Sequence, residues 1–92
     1  MKQSKQSDNA ENKVQFENTR MLSDLPAGER ALIRALRGGR GFSARLAALG
    51  VTPGVEVTVV QNFGSGPMIV TVRDTRIALG RGEAFKVLVE AQ

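Results

Sequence analysis

Residues 45–60, RLAALGVTPGVEVTVV, stop a helix, turn the chain and launch a strand within sixteen positions. Phe42, Leu46 and Leu49 fall at i, i+4 and i+7, one apolar stripe on a helix. Gly50 then stands where a left-handed residue is wanted, and Val51 is placed to fold back on the last turn in a Schellman cap. Pro53 cannot continue a helix, and Pro53-Gly54 suits the centre of a type II turn. From residue 55 the apolar period becomes two, with Val55, Val57 and Val59 on one face and Glu56, Thr58 and Val60 on the other. Cap, turn and strand start are compatible local instructions, so the stretch reads as an architectural hinge.

The same alternation recurs along the chain. Ala31, Ile33 and Ala35 oppose Leu32 and Arg34, and Met68, Val70 and Val72 oppose Ile69, Thr71 and Arg73. Ile77 and Leu79 continue the inward set, and Phe85, Val87 and Val89 close it. Between these runs lie a polar turn at 22–28 ending in Pro26-Ala27-Gly28, a flexible loop NFGSGP at 62–67, a two-residue turn at Asp74-Thr75, and a loop or single helical turn at 80–84. About five short strands with one short α-helix in roughly 70 residues predict a mostly β fold. Closure into a small barrel removes the edges that an open sheet would expose. The expected core adds Leu36, Phe42, Leu46, Leu49, Val51 and the odd-numbered valines 55–59 to the inward positions above.

Residues 1–20, MKQSKQSDNAENKVQFENTR, hold only Ala10, Val14 and Phe16 as apolar side chains between Met1 and Met21. That is too little burial to offset backbone ordering, which costs about 1–2 kcal/mol per residue. The expected organisation is a disordered tail over 1–20 and one domain over 21–92. The domain keeps nine basic and six acidic side chains, and eight of the nine are arginine. A surplus of that size suits an acidic or anionic partner but is modest for a nucleic-acid binder. The chain has no cysteine, so no disulfide staples it, which fits an intracellular setting. No apolar run approaches the roughly 18 residues of a membrane-spanning helix.

Chemistry is mostly excluded by what is missing. With no His and no Cys, the recognisable metal sites and the usual nucleophile–base pairs are absent. Asp24, Glu29, Glu56, Asp74, Glu83 and Glu90 are scattered, with no spacing that suggests an acid–base pair. The expectation is therefore no enzyme, no catalytic residue, no cofactor and no metal. RGGRGF at 37–42 lacks both the Lys and the spacing of a phosphate loop. Its glycines admit a tight loop into the helix, whose N-terminus beside Arg37 and Arg40 suits an anion or a carboxylate. Nucleic-acid binding by a small barrel needs stacking aromatics, and there is no Trp or Tyr. Phe42 and Phe85 read as core, leaving Phe63 as the aromatic expected at the surface of the domain. Outward Leu32, Val60, Ile69 and Leu88 add scattered apolar surface, suited to a protein partner, to a homo-oligomer contact, or to simple half-burial.

Taken together, LSDLPAGERALI, GGRGFSARLAALGVTPGVEVTVV, GPMIVTV and RIALGRGEAFKVLVE resemble the FeoA family over about residues 21–90. The most specific stretch is RLAALGVTPGVEV, with Leu46, Leu49, Gly50, Pro53, Gly54 and Val57 at the family's positions. The resemblance implies a small cytoplasmic protein with an SH3-like barrel, acting in ferrous-iron uptake beside the FeoB GTPase-permease, without inserting into the membrane. The family's association with transition metal ions stands against a sequence that offers only isolated carboxylates and backbone oxygens. The Asp74-Thr75 turn departs from the Gly frequent there in the family. Arg37, Arg40 and Arg45 around the glycine loop, with Phe63, are the expected partner-binding residues. The alternative is a regulatory or peptide-binding barrel like the C-terminal domain of iron-dependent repressors, which carries a similar signature. Here neither a DNA-binding nor a metal-binding domain is visible in the sequence ahead of it.

Overall fold

The hinge at residues 45–60 takes the geometry its sequence specifies. In the computed structural model, which describes residues 19–92, helix α1 (Gly39–Ala48) ends at Leu49, and Gly50 follows at φ 92°. The Val51 N–H donates to the Leu46 carbonyl and the Gly50 N–H to the Ala47 carbonyl, both at 2.9 Å. That pair of bonds is the Schellman motif. The Val55 N–H then reaches the Thr52 carbonyl at 3.2 Å, with Gly54 at φ 92°, which closes a type II turn.

Six strands are present: β1 (Thr19–Met21), β2 (Arg30–Leu36), β3 (Glu56–Gln61), β4 (Met68–Val72), β5 (Thr75–Leu79) and β6 (Val87–Ala91). They form one antiparallel sheet in the order β1-β6-β2-β3-β4-β5. A 3-10 turn (Leu22–Asp24) follows β1, and a one-turn helix α2 (Arg81–Ala84) precedes β6. The strand beyond the expected five is β1, which begins two residues ahead of the expected domain start. The rest of the expected tail, residues 1–18, lies outside the described residues. No helix among the described residues is long and apolar enough to cross a membrane.

One core cluster takes side chains from both ends of the sheet: Ile77 and Leu79 of β5, and Leu22 and Leu25 just after β1. The sheet therefore rolls around a single interior as a small barrel. The valines and Met68 of β3, β4 and β6 fill it at the expected alternate positions, each at most 1% exposed. Leu22 and Leu25 are wholly buried, although their surroundings read as a polar turn. Burying each contributes about 1.5–3 kcal/mol before ordering costs. They plug the barrel where the sheet order ends.

Two expected core positions are corrected. Leu49 is 46% exposed because the helix ends there, and the Schellman fold-back puts Val51, 1% exposed, on Leu46 in its place. Phe85 is 62% exposed because it ends α2 and precedes the strand. The period of two counted back from Val87 does not reach it, and the helical turn buries Ala84 instead. Leu36 and Val55 are half-buried against the core. A register shift in β2 between Ile33 and Ala35 changes the strand's phase ahead of Leu36. The hairpin turn is also displaced by one residue. Val72 pairs with Thr75, and Arg73 and Asp74 are its central residues at φ 51° and 66°. This is the type I′ geometry, so Asp74 carries a positive φ and Thr75 is spared it.

Candidate functional site

No ladder joins β1 to β5, and side chains stitch the loops near that seam. Asn62, just past β3, donates from Nδ2 to the carbonyls of Leu25 at 2.7 Å and Ser23 at 3.1 Å. Its Oδ1 accepts from the Gly64 N–H at 3.0 Å, an Asx turn, and from Arg81 Nη2 at 2.7 Å. Arg81, the first residue of α2, also donates from Nε to the Gly66 carbonyl and from Nη1 to the Ser23 carbonyl, each at 3.1 Å. Three segments, the 3-10 turn at 22–25, the loop at 62–66 and the start of α2, are thereby held together. The segment that reads as a flexible loop is anchored at its first residue.

Above this network lies an open groove of about 630 Å³, lined by Ser23, Asp24, Pro26, Asn62, Phe63, Gly64, Arg81 and Phe85. Phe63 and Phe85, 77% and 62% exposed, are the two large aromatic side chains on it. The third phenyl ring among the described residues, Phe42, belongs to the core. Lys86 Nζ lies 5.6 Å and the Arg45 guanidinium 5.9 Å from its centroid, both within cation–π range.

Of the expected partner-binding residues, Phe63 lines the groove, and Arg45 and Arg37 are tied to the segment that supplies Phe85. Arg45 makes an ion pair with Glu83 of α2, and the Arg37 N–H donates to the Lys86 carbonyl at 2.8 Å. The guanidinium of Arg37 is exposed and without an ion pair among the described residues, as is that of Arg40 in the first turn of α1. Arg40 touches neither the groove nor the 81–86 segment in any recorded polar contact. The Gly80 N–H, 3.0 Å away, and then the Arg45 guanidinium hold the Glu83 carboxyl below the ordinary carboxylate range.

Reasoning from residue patterns missed Phe85, Arg81 and Asn62. Asn62-Phe63-Gly64 carries an Asx-turn signal that could have marked residue 62 as an anchor. Nothing local marks Arg81, whose partners lie 15, 19 and 58 positions away. Among the described residues, no three of His, Cys, Asp and Glu come together in a group able to hold a metal ion.

A single antiparallel sheet rolled around one core, with one full helix and a groove in place of a reactive cluster, defines a small SH3-like barrel domain. The FeoA domain model matches residues 20–91, and the chain belongs to the FeoA family. A candidate Fe(2+) transport protein A of Methanocaldococcus jannaschii is 35% identical over 69 residues, 75% of this chain and 83% of that one. The crystal structure of an iron uptake regulatory protein of the family superposes with a TM-score of 0.77 at 30% identity, covering 80% of this chain and 99% of the other. FeoA of Stenotrophomonas maltophilia, a prokaryotic SH3 domain protein solved with zinc, gives a TM-score of 0.69 at 33% identity, covering 77% and 89%. A manganese-dependent transcriptional repressor shares the fold alone, with a TM-score of 0.74 at 16% identity over 42% of its length.

Proposed function

We propose that this protein is a non-catalytic cytoplasmic accessory of ferrous-iron uptake that docks on the GTP-binding portion of a FeoB-type GTPase-permease and modulates it. The observation that carries the reading is the pair of exposed rings, Phe63 and Phe85, on a groove whose rim is fixed by hydrogen bonds. Aromatic anchors held in place bind with little ordering cost and are the commonest hot spots of protein interfaces. Arg37 and Arg40, exposed and without an ion pair among the described residues, add surface charge outside the groove lining that steers an acidic partner and raises the association rate. The regulatory-module alternative draws only on the fold shared with repressors.

The test is binding of the purified chain to the isolated GTP-binding domain of the permease, with uptake measured in cells lacking the native protein. Charge reversal at Arg37→Glu and Arg40→Glu should lower affinity and flatten its salt dependence, because fewer screened attractions remain. Phe63→Ser should lower affinity without changing that dependence. Full restoration of uptake by the combined variant would refute this surface.

A further inference from the structure

The seam groove contains a cation with no counter-ion. Arg81 lines it, and none of the ion pairs among the described residues includes Arg81. Three of the five guanidinium N–H groups are spent, all on neutral oxygens: the carbonyls of Ser23 and Gly66 and the amide oxygen of Asn62. One N–H on each terminal nitrogen is left. Those bonds also fix the guanidinium plane, so its remaining N–H groups are held without the rotamer entropy that a free arginine loses on binding. Phe63 and Phe85 stand on the same groove, both largely exposed. Asp24 is the other charged side chain on its lining, and it forms no ion pair with Arg81 or any other cation among the described residues.

We propose that this groove receives an extended peptide segment of the docking partner, in which a carboxylate side chain flanked by apolar residues pairs with Arg81 while its neighbours pack on Phe63 and Phe85. The proposal rests on the docking reading above and specifies the chemistry of the segment recognised. Charge complementarity selects the occupant. A neutral apolar peptide leaves the guanidinium uncompensated while the groove is being dried, whereas a carboxylate forms charge-assisted bonds to it. Asp24 sets the register by repelling a second acidic residue. Arg81 is here a recognition residue and a staple at once, and a free arginine such as Arg40 can be only the former.

The experiment uses the native chain, labelled with 15N, and two blocked pentapeptides, acetyl-Ser-Leu-Glu-Leu-Ser-amide and its Gln counterpart. The Glu peptide should shift the Arg81 Nε–H and the amides of Gly64 and Phe85. Its affinity should exceed that of the Gln peptide about tenfold, the worth of one charge-assisted hydrogen bond. The Asp24→Asn variant should tighten the Glu peptide and leave the Gln peptide unchanged. Equal affinities for the two peptides would overturn the proposal, as would groove signals that respond to inorganic phosphate and to neither peptide. The peptide exchange is made on the unaltered protein, so loss of folding in an Arg81 variant cannot obscure the result. Failure here is separable from failure of the docking reading. If the GTP-binding domain binds the chain while the Glu peptide has no advantage, docking stands and the groove assignment falls. If the Glu peptide binds preferentially and the GTP-binding domain does not bind, the groove assignment stands and its partner lies elsewhere.

Discussion

Replacing Gly50 with Ala tests the hinge on which the fold turns, and the structure separates its conformational cost from its packing cost. Gly50 sits at φ 92°, and a Cβ there would meet only Val72 Cγ1 at 3.8 Å, an ordinary contact. The penalty is therefore the backbone's: an L-residue in the left-handed region costs about 1–2 kcal/mol. For a domain of this size about 1 kcal/mol lowers Tm by roughly 4–8 °C. Gly50→Ala should lower Tm by roughly 4–16 °C and shift the urea midpoint with the m-value unchanged. Gly50→Asn should cost less, since Asn tolerates positive φ. A synthetic chain with D-alanine at position 50 should match or exceed the native stability, because the mirror-image residue prefers that φ. Gly38→Ala makes the opposite comparison. Its φ of −130° is ordinary, but a Cβ would collide with the Phe42 side chain, so any loss there is steric. If L-Ala and D-Ala at position 50 destabilise equally, the cost is not conformational and the cap argument is refuted.

Asp74→Gly should shift the urea midpoint upward slightly, because relief of the positive φ in the type I′ turn, about 1–2 kcal/mol, exceeds the roughly 0.4–1 kcal/mol that a freer unfolded chain takes back. Asn62→Ala removes two donations and two acceptances from the seam and should cost about 2–3 kcal/mol by the same measurement, more than most surface changes. Phe63→Ser and Phe85→Ser should each leave stability within about 0.5 kcal/mol while weakening docking, which separates a binding ring from a packing ring. Glu83 has its carboxyl pKa lowered in the fold, so its contribution is present above the unfolded value and is lost as pH falls through the folded one. Glu83→Gln should accordingly flatten the acid limb of a stability–pH curve below about pH 4.5 and leave its shape near neutrality unchanged.

The barrel is legible in the sequence wherever a residue's environment is decided by its near neighbours. Alternation placed the valines of β3, β4 and β6, and the Gly50, Pro53 and Gly54 signals gave cap and turn in the right register. Failures begin where a short element changes the period. One helical turn at 81–84 is enough to turn Phe85 out and Ala84 in, and a helix ending at Leu49 leaves that residue exposed while Val51 is buried as expected. Leu22 and Leu25 read as turn residues because their turn packs against β6 and the 81–84 helical turn, both far along the chain. The candidate site is less legible for the same reason. Phe63 was accessible to reasoning as the aromatic in a glycine-rich loop. Phe85 and the Arg81 guanidinium join it on the same groove from a distant part of the chain.

Stability and recognition meet at the place where the sheet does not close. A fully laddered barrel satisfies its backbone internally and presents only its outer side chains. Here the carbonyls of Ser23, Leu25 and Gly66 are capped by Asn62 and Arg81 side chains. Those side chains are polar and directional, so they fix loops that no ladder joins; Asn62 spends its full amide capacity there, and Arg81 keeps two guanidinium N–H groups in reserve. The segments that carry Phe63 and Phe85 are consequently cross-linked by hydrogen bonds while their rings stay exposed. A partner segment laid in this groove completes the seam by supplying the carboxylate that Asp24, on the same lining, does not bring into an ion pair with Arg81. Occupied, the groove should therefore protect the amides of Gly64 and Gly66 from hydrogen exchange more than those of the distant Arg73-Asp74 turn.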